Sequence, residues 1–233
     1  MAESRRFDAL IIGSGQAGVP LARSLAQAGW RTTIVEREHV GGTCINTGCT
    51  PSKSMVASAR VAYLAARAAD YGIVTGEVRT DLAAVRRRKQ ALVESWRDGM
   101  AGRLGSTDGL ELLMGEARFR SPRVVEVRQA DGGVLPLAAD HIIINTGCRP
   151  TVPALPGLKD VPYLTSTTVM ELDEAPEHLL ILGGGYVAVE FGQMFRRFGS
   201  QVTIVQRSRT LLSREDDDVA AAVADILRED GVR

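Results

Sequence analysis

The chain has 233 residues, of which 45% are hydrophobic and 24% charged, and its 28 basic and 28 acidic side chains leave no formal net charge. This balance gives no support to a protein that binds nucleic acid or an anionic membrane surface. No apolar run approaches the roughly 20 residues that span a bilayer, and the stretch Leu10-Ile11-Ile12 is too short for a secretory signal. We therefore expect a cytoplasmic globular protein with one large or two small domains.

Hydrophobic periodicity predicts the elements in chain order. The first half is predicted to contain a strand at 7–12, a helix at 16–28, a strand at 31–36, a helix that reaches about residue 69, and a helix at 81–104. The second half is predicted to contain a β-meander at 110–129 and 134–138, a buried strand at 141–145, a strand that begins near 179, and a last helix at about 215–229. The basic run Arg86-Arg87-Arg88-Lys89 has no aromatic residue interleaved, and it is interpreted as a solvated helix face.

An internal repeat relates two segments at a constant offset of 170 residues. In each copy an apolar run enters GxGxx(G/A), and a second apolar run ends 23 residues after the first glycine. This pattern is typical of a dinucleotide-binding βαβ unit, in which the glycines make a tight turn, admit a pyrophosphate and pack helix on strand. Two tight turns without a ligand are the alternative. The positions concerned are Gly13, Gly15 and Gly18 in the first copy and Gly183, Gly185 and Ala188 in the second.

A domain boundary is predicted between the two copies. Pro150, Pro153 and Pro156, followed by Gly157, interrupt the chain there. We therefore predict an α/β fold with two Rossmann-like βαβ dinucleotide-binding domains. The first covers residues 1–155, and the second covers residues 156–233 and is incomplete.

The two copies differ at the end of their second strand. Glu36 ends this strand in the first copy, where an acid can hydrogen-bond a ribose hydroxyl. The second copy has Gln206 instead, followed by Arg207 and Arg209, a combination that suits a 2′-phosphate. We expect the second site to prefer NADPH to NADH; the alternative is that both arginines are solvated surface charge.

A cysteine-containing segment, GGTCINTGCTPSK, runs from Gly41 to Lys53 and holds Cys44 and Cys49. In a reducing compartment, such a pair is more often catalytic or metal-binding than structural. Zinc needs two further ligands at motif spacing, and the three histidines are scattered, so we predict no metal site. Beside a dinucleotide fingerprint, the pair indicates redox chemistry between a flavin and a disulfide, with a thiolate favoured by a helix N-terminus and a cation. Two inert core cysteines are the alternative.

Taken together, these motifs resemble the class I pyridine nucleotide–disulfide oxidoreductases, the family of glutathione reductase, dihydrolipoyl dehydrogenase and mercuric reductase. The resemblance covers the whole chain and is closest to mercuric reductase-like bacterial flavoproteins. It rests on the first fingerprint with Glu36, on GGTCxNxGCxPSK, on TGCRP beginning at Thr146, and on GGGYVAVE ending at Glu190, in that order. It implies that residues 1–155 bind FAD and carry the redox-active disulfide, and that residues 156–233 form the first part of an NAD(P)-binding domain.

The resemblance also implies roles for individual residues. Hydride passes from NADPH to the flavin and on to a Cys44–Cys49 disulfide, with Cys49 nearer the flavin and Cys44 attacking the substrate. Lys53 and Glu190 match a buried ion pair near the flavin, and Tyr186 matches the residue that gates the nicotinamide pocket. A surface lysine, a helix acid and a core tyrosine are the respective alternatives. The implied FAD contacts are Gly13, Gly15, Gln16, Ala17, Gly18, Glu36, Gly42, Thr43, Lys53, Thr146 and Gly147; the implied NADPH contacts are Gly183, Gly185, Tyr186, Val187, Gln206 and Arg207.

The chain departs from the family pattern in two residues and in length. Thr50 stands where an aliphatic residue is usual, and Cys148 stands where serine or alanine is common. Cys148 is interpreted as a small buried filler, and a third redox thiol is the alternative. Family members are homodimers with a further C-terminal dimerisation domain, which we expect to be missing here.

Two hypotheses about function follow. The chain is either part of a flavin disulfide reductase, or a non-catalytic remnant that binds flavin weakly or not at all. The expected substrate is a small-molecule disulfide or a metal ion such as Hg(II), with dihydrolipoamide and glutathione disulfide also open, and no nucleic-acid or membrane partner is expected.

Overall fold

The structure is a computed structural model that describes residues 4–233. The chain forms two compact units, and it enters each of them twice. Unit 1 contains the residues up to Pro51 together with Ala91–Ala154, and unit 2 contains Ser52–Gln90 together with Leu155–Arg233. The assignment of one cofactor to residues 1–155 and another to 156–233 stays a prediction.

Unit 1 is built on a six-stranded sheet. Its strands are β1 (Arg5–Ile12), β2 (Thr32–Glu36), β3 (Leu110–Met114), β4 (Glu116–Ser121), β5 (Val124–Arg128) and β6 (Val134–Ile144). The strand order is β3-β2-β1-β6-β5-β4. Strands β3, β2, β1 and β6 run parallel, whereas β5 and β4 are antiparallel additions at one edge. The central strands are apolar runs such as Leu10 and Ile11, which are fully buried because parallel strands are covered on both faces.

Four helices contribute to unit 1, and two of them continue into unit 2. They are α1 (Gly18–Gln27), α2 (Gly42–Asn46), the first residues of α3 (Cys49–Ala66) and the second part of α4 (Leu82–Gly105). The predicted helix that begins in the cysteine motif is confirmed as α3, which ends at Ala66, close to the predicted end near residue 69. The short helix α2 within the motif was not predicted, and a 3₁₀ turn at Ala68–Tyr71 follows α3.

Two strand predictions are corrected by the pairing. The segment Leu110–Met114 is not part of the meander but pairs in parallel with β2. Gly115, at φ +156°, separates it from the meander, and a Cβ there would lie 2.6 Å from the carbonyl oxygen of Arg128. The runs 134–138 and 141–145 belong mainly to one strand, β6, because β6 pairs along its length with β5 and then with β1. This strand is not buried throughout, since Ile144 near its end is 66% exposed.

Unit 2 contains the second copy of the repeat, and its core draws on both of its chain segments. Met55 and Leu82, from α3 and α4, are buried in the same cluster as Phe195 and Met170. This shared burial explains why residues 52–90 belong with the second copy. The elements of this copy are β7 (His178–Leu182), α5 (Tyr186–Arg197), β8 (Gln201–Val205) and α6 (Asp217–Glu229).

The internal repeat is confirmed down to individual hydrogen bonds. Ala9 pairs with Thr32 in the first copy, and Leu179 pairs with Val202 in the second, again at an offset of 170 residues. The same offset relates the bonds that close the glycine turns: Gly13 N–H to Val35 O and Gly183 N–H to Val205 O, each 2.8 Å, and Val19 N–H to Gly15 O and Val189 N–H to Gly185 O, each 3.1 Å. The predicted α/β fold with Rossmann-like βαβ units is thus confirmed.

The basic run on α4 is not a uniformly solvated face, and that interpretation is wrong for Lys89. The Lys89 side chain is 2% exposed, and its ammonium lies 2.5 Å from a carboxylate oxygen of Glu171. Arg86 forms an ion pair of 2.8 Å with Asp173. A buried ammonium needs a compensating charge. The basic run therefore binds residues 171–173 of unit 2 through these two ion pairs.

Candidate functional site

The first glycine turn is shaped by close contacts inside unit 1. Gly13 has φ +104°, and a Cβ on it would lie 2.1 Å from the carbonyl oxygen of Asn145. A Cβ on Gly18 would lie 2.4 Å from the carbonyl oxygen of Gly13. A Cβ on Gly15 would meet only an Asn145 side-chain nitrogen, at 3.3 Å. Gly13 and Gly18 are therefore required by the protein's own packing, whereas Gly15 leaves the backbone accessible.

The start of α1 fits an anionic group. No side chain caps this helix. The Val19 N–H already donates to the Gly15 carbonyl, and Pro20 has no N–H. The attraction for an anion at this end therefore comes mainly from the helix dipole, which favours negative charge there. Gln16 and Ala17, which precede α1, are exposed. Solvent therefore reaches the segment that immediately precedes α1.

Glu36, at the end of β2, is held by hydrogen bonds from the same turn. Its carboxylate accepts bonds from the Ser14 hydroxyl at 2.6 Å, the Ser14 N–H at 3.1 Å and the Glu38 N–H at 2.9 Å. Burial raises the pKa of Glu36, but the Glu38 and Ser14 donors outweigh it and hold the pKa below its ordinary value of 4.5. Glu36 is thus fixed as an acceptor at the mouth of the turn, where an acid can bind a ribose hydroxyl.

Replacing Glu36 by glutamine is expected to reduce the acid sensitivity of unit 1. Because the pKa of Glu36 is lowered on folding, its stabilising contribution is present above pH 4.5 and is lost as the pH falls below that value. Urea unfolding between pH 7 and pH 3 measures this, with the fluorescence of Trp30 and Trp96 as the probe, since both tryptophans belong to unit 1. Exposed Glu38→Gln is the control and should follow the wild-type curve. Equal loss of stability in wild type and Glu36→Gln contradicts the expectation.

The cysteine loop is packed directly on the first fingerprint. Gly42 has φ +59°, and a Cβ on it would lie 2.7 Å from the Cα of Gly15. The Gly41 N–H donates to the Ser14 carbonyl at 3.1 Å. The GGTC motif and the glycine turn therefore form one local structure, and the left-handed glycines permit this approach.

Cys44 and Cys49 lie at successive helix starts in this loop. Cys44 is half-buried in α2, and Cys49 is exposed as the first residue of α3. A Cβ on Gly48 would lie 2.9 Å from the Thr43 carbonyl oxygen and 3.5 Å from the Cα of Cys44. The residue before Cys49 thus returns to the backbone beside Cys44, and Cys49 stands at the N-terminus of α3.

The loop is fixed by an interaction that sequence reasoning missed. The Asn46 side-chain amide donates to the carbonyl oxygens of Gly42 at 2.8 Å and Val40 at 3.2 Å. Its own oxygen accepts a hydrogen bond from the Arg97 guanidinium, which α4 supplies. Asn46 could have been singled out because it is a fixed member of the quoted motif; no local pattern pointed to Arg97, which lies 51 residues away.

Thr146 and Gly147 also lie at this loop. Both are exposed, and a Cβ on Gly147, at φ +69°, would lie 3.5 Å from the Thr43 hydroxyl oxygen. Cys148 follows them and is exposed, so its interpretation as a buried filler is wrong. The segment from Asn145 turns outward after β6, which places the Cys148 side chain at the surface.

Lys53 and Glu190 are joined in unit 2. The Lys53 ammonium forms an ion pair and hydrogen bond with the Glu190 carboxylate. The predicted pairing is therefore present, but the Lys53 side chain is 65% exposed, so the pair is not a buried one in this chain. Lys53 lies in α3, four residues after Cys49.

The second glycine turn is more open than the first. Gly183 has φ +101°, yet a Cβ on Gly183 or Gly185 would meet nothing within 4 Å. Gln206 takes the place of Glu36, since its side-chain oxygen accepts the Gly184 N–H at 3.3 Å. Val187, in the first turn of α5, is 54% exposed. The backbone at Gly183 and Gly185 is therefore open at the Cβ positions, whereas Gly184 is covered by Leu211.

Two cations lie beside this turn. Arg207 and Arg209 are exposed, and within residues 4–233 neither forms an ion pair. The side chains are thus available to an anionic group.

No group of three or more His, Cys, Asp or Glu side chains in the described part of the chain could hold a metal ion. No helix in that part is both long and apolar enough to cross a membrane.

Comparison with known proteins agrees with this arrangement. A family model described as pyridine nucleotide-disulphide oxidoreductase matches residues 7–233. A mercuric reductase of Streptomyces lividans is 42% identical over 227 residues, which are 97% of this chain and 48% of that protein. The probable pyridine nucleotide-disulfide oxidoreductase RclA of Escherichia coli strain K12 is 38% identical over 230 residues, again 97% of this chain and 48% of that protein.

A solved structure gives the same result in three dimensions. The HOCl-induced flavoprotein disulfide reductase RclA from Escherichia coli superimposes with a TM-score of 0.82 at 38% identity, covering 97% of this chain and 48% of that one. The chain therefore spans about half the length of the curated relatives it matches. Because the family model covers nearly every residue, this chain belongs to the pyridine nucleotide-disulphide oxidoreductase family, whose members are FAD-dependent and use a pyridine nucleotide.

Proposed function

We propose that this chain provides the FAD-binding turn, the redox-active thiol pair and the pyridine nucleotide-binding turn of a disulfide oxidoreductase. The observation that carries the proposal is the contact of Gly42 with Gly15, which builds the cysteine loop on the fingerprint. NADPH is the proposed electron donor. A small-molecule disulfide or a metal ion such as Hg(II) is the proposed acceptor, supported by relatives named mercuric reductase and flavoprotein disulfide reductase.

The residues of unit 1 fit FAD. Gly15 and the uncapped start of α1 would hold the pyrophosphate, and the Glu36 carboxylate would accept a ribose hydroxyl. Thr43 and Gly147 approach each other beside this turn and would close over the cofactor. When bound, FAD supplies a two-electron carrier between the pyridine nucleotide and the thiol pair. The remaining proposed contacts in unit 1 are Gly13, Gln16, Ala17, Gly18, Gly42 and Thr146. Lys53, whose residue range belongs to unit 2, is proposed as a further contact.

The thiol pair would perform the exchange with substrate. The Cys44 thiolate attacks one sulfur of a substrate disulfide, which forms a mixed disulfide and releases one substrate thiolate. The Cys49 thiolate then attacks the Cys44 sulfur, which releases the second substrate thiolate and leaves a Cys44–Cys49 disulfide. Lys53, one helical turn after Cys49 and paired with Glu190, is the proposed cation near the flavin.

Unit 2 would hold the pyridine nucleotide at the second turn. Gly183, Gly185 and Val187 surround the start of α5, and Tyr186 is its first residue. Gln206 cannot repel a 2′-phosphate as an acid would, and Arg207 can pair with one. These residues are the ground for proposing NADPH over NADH.

Replacing Arg207 and Arg209 by alanine is expected to weaken NADPH binding about fivefold to tenfold and to leave NADH binding unchanged. Isothermal titration of the full chain with each nucleotide measures the two dissociation constants. Arg228→Ala removes an exposed arginine on α6 and serves as the control. If the affinity for both nucleotides falls equally, the arginines attract charge in general and do not recognise the 2′-phosphate.

The visible spectrum of the purified chain with FAD tests the proposal as a whole. We expect bound-flavin bands that bleach on anaerobic addition of NADPH and gain a long-wavelength shoulder, and we expect Cys49→Ser to lack the shoulder. A spectrum of unbound FAD only would overturn the proposal in favour of a chain that does not hold flavin. Bleaching without a shoulder would show that the thiol pair does not communicate with the flavin.

A further inference from the structure

The loop after β8 in unit 2 is the structural counterpart of the cysteine loop. Leu212, with φ +48°, stands 170 residues after Gly42, with φ +59°. Leu212 is the one non-glycine with positive φ among residues 4–233. This conformation is strained for a residue with a Cβ. The loop must therefore be held in place by its surroundings.

The glycine turn of the second copy holds this loop. The Leu212 N–H donates to the Gly184 carbonyl at 2.8 Å, as the Gly41 N–H does to Ser14 in the first copy. A Cβ on Gly184 would lie 2.5 Å from a Leu211 methyl carbon. The loop is thus seated on the turn by a backbone bond and by side-chain contact.

Glu215 is fixed by the same loop and reaches Tyr186. The Glu215 N–H donates to the Leu212 carbonyl at 2.8 Å. The Tyr186 hydroxyl donates to the Glu215 carboxylate, although the Tyr186 side chain is 62% exposed. The hydrogen bond with Glu215 raises the pKa of Tyr186, and the charge of Arg214 opposes that rise.

The βαβ fold does not require this contact. The residues at the matching positions of the first copy are Gln16 and Ile45, which cannot form an equivalent pair. The backbone bonds that close the two glycine turns, from Gly13 to Val35 and from Gly183 to Val205, are nevertheless the same. Tyr186 is the first residue of α5, and side chains on a helix lean toward its N-terminus. The hydrogen bond to Glu215 therefore holds the Tyr186 hydroxyl against the loop that is seated on the second glycine turn.

We propose that Glu215 is a positioning residue that latches the Tyr186 ring toward the N-terminus of α5, and that binding of a pyridine dinucleotide requires this hydrogen bond to open. The latch rests on the proposed function, in which the second turn binds this ligand. A closed latch lowers the fraction of binding-competent molecules and so weakens the apparent affinity. The negative pyrophosphate also repels the Glu215 carboxylate, which favours opening on binding.

Nucleotide affinity is the first test. Glu215→Ala and Tyr186→Phe should each lower the dissociation constant for NADPH about two- to fivefold, because each breaks the bond. The double variant should bind no tighter than either single variant, since both remove one interaction. Asp217→Ala is the charge-matched control, because it removes a nearby exposed acid and leaves Tyr186 and Glu215 paired.

Three results would overturn the latch. Tighter binding by Glu215→Ala with unchanged binding by Tyr186→Phe would show an effect of charge alone. One common dissociation constant for wild type and variants would overturn the latch and leave the proposed function standing. No binding by any of them would overturn the proposed function and the latch together.

Tyrosine titration is a second readout that a merely structural role of Glu215 would not move. All four tyrosines belong to unit 2. Absorbance at 295 nm should show a late-titrating component in the wild-type chain that is absent in Tyr186→Phe and shifted to lower pH in Glu215→Ala. Identical curves for wild type and Glu215→Ala would overturn the latch without reference to any nucleotide.

Discussion

Gly13→Ala is expected to unfold unit 1 or to lower its free energy of unfolding by more than about 4 kcal/mol. The added Cβ would lie 2.1 Å from the Asn145 carbonyl oxygen and 2.8 Å from its carbon. These are backbone atoms of the segment that follows β6, so no side-chain rotation relieves the overlap. The left-handed conformation at φ +104° adds a strain of about 1–2 kcal/mol.

Gly183→Ala is the matched control, because the repeat supplies the same turn without the overlap. Gly183 has φ +101°, and nothing lies within 4 Å of its Cβ position, so only the strain of about 1–2 kcal/mol remains. Urea unfolding of each variant separates the effects. Tryptophan fluorescence reports unit 1, and tyrosine absorbance reports unit 2. Equal destabilisation by the two variants would show that strain, not the Asn145 contact, fixes the glycine.

Cys44→Ser and Cys49→Ser are each expected to abolish dithiol chemistry, whereas Cys148→Ser is expected to retain it. A single remaining thiol of the pair cannot form the disulfide that the exchange needs. After diamide oxidation, we expect one of the three cysteines to stay reactive in the wild-type chain, two in either Cys44→Ser or Cys49→Ser, and none in Cys148→Ser. Maleimide labelling followed by intact mass spectrometry counts these thiols and does not depend on bound flavin.

Cys148 makes this count informative, because it is exposed and yet lies outside the proposed pair. Its thiol is the internal standard for labelling. Three reactive thiols in the oxidised wild-type chain would contradict the proposed pair. A pair that includes Cys148 would appear as two reactive thiols in Cys148→Ser, and it would assign the redox role to a different set of residues.

The sequence by itself determined the repeat and the residues within it. Glycine spacing, strand length and the acid-to-glutamine change at Glu36 and Gln206 are local patterns, and the structure repeats their hydrogen bonds at the same offset. The cysteine motif was equally visible in the sequence. Its glycines Gly41 and Gly42 are needed because the backbone there is left-handed, a conformation that few other residue types adopt. Local backbone chemistry therefore specified where each turn lies.

Only the tertiary structure decided which distant side chains meet. The burial of Lys89 against Glu171, the Arg97 bond to Asn46 and the parallel pairing of β3 with β2 join residues far apart in the chain. A charged residue in a helix has the same local pattern whether it faces water or a partner, so composition predicted a solvated face where Lys89 is buried. The Tyr186–Glu215 contact belongs to the same class, because its geometry depends on how the loop after β8 packs on Gly184. Such contacts depend on packing between elements, and packing is fixed only when the whole chain has folded.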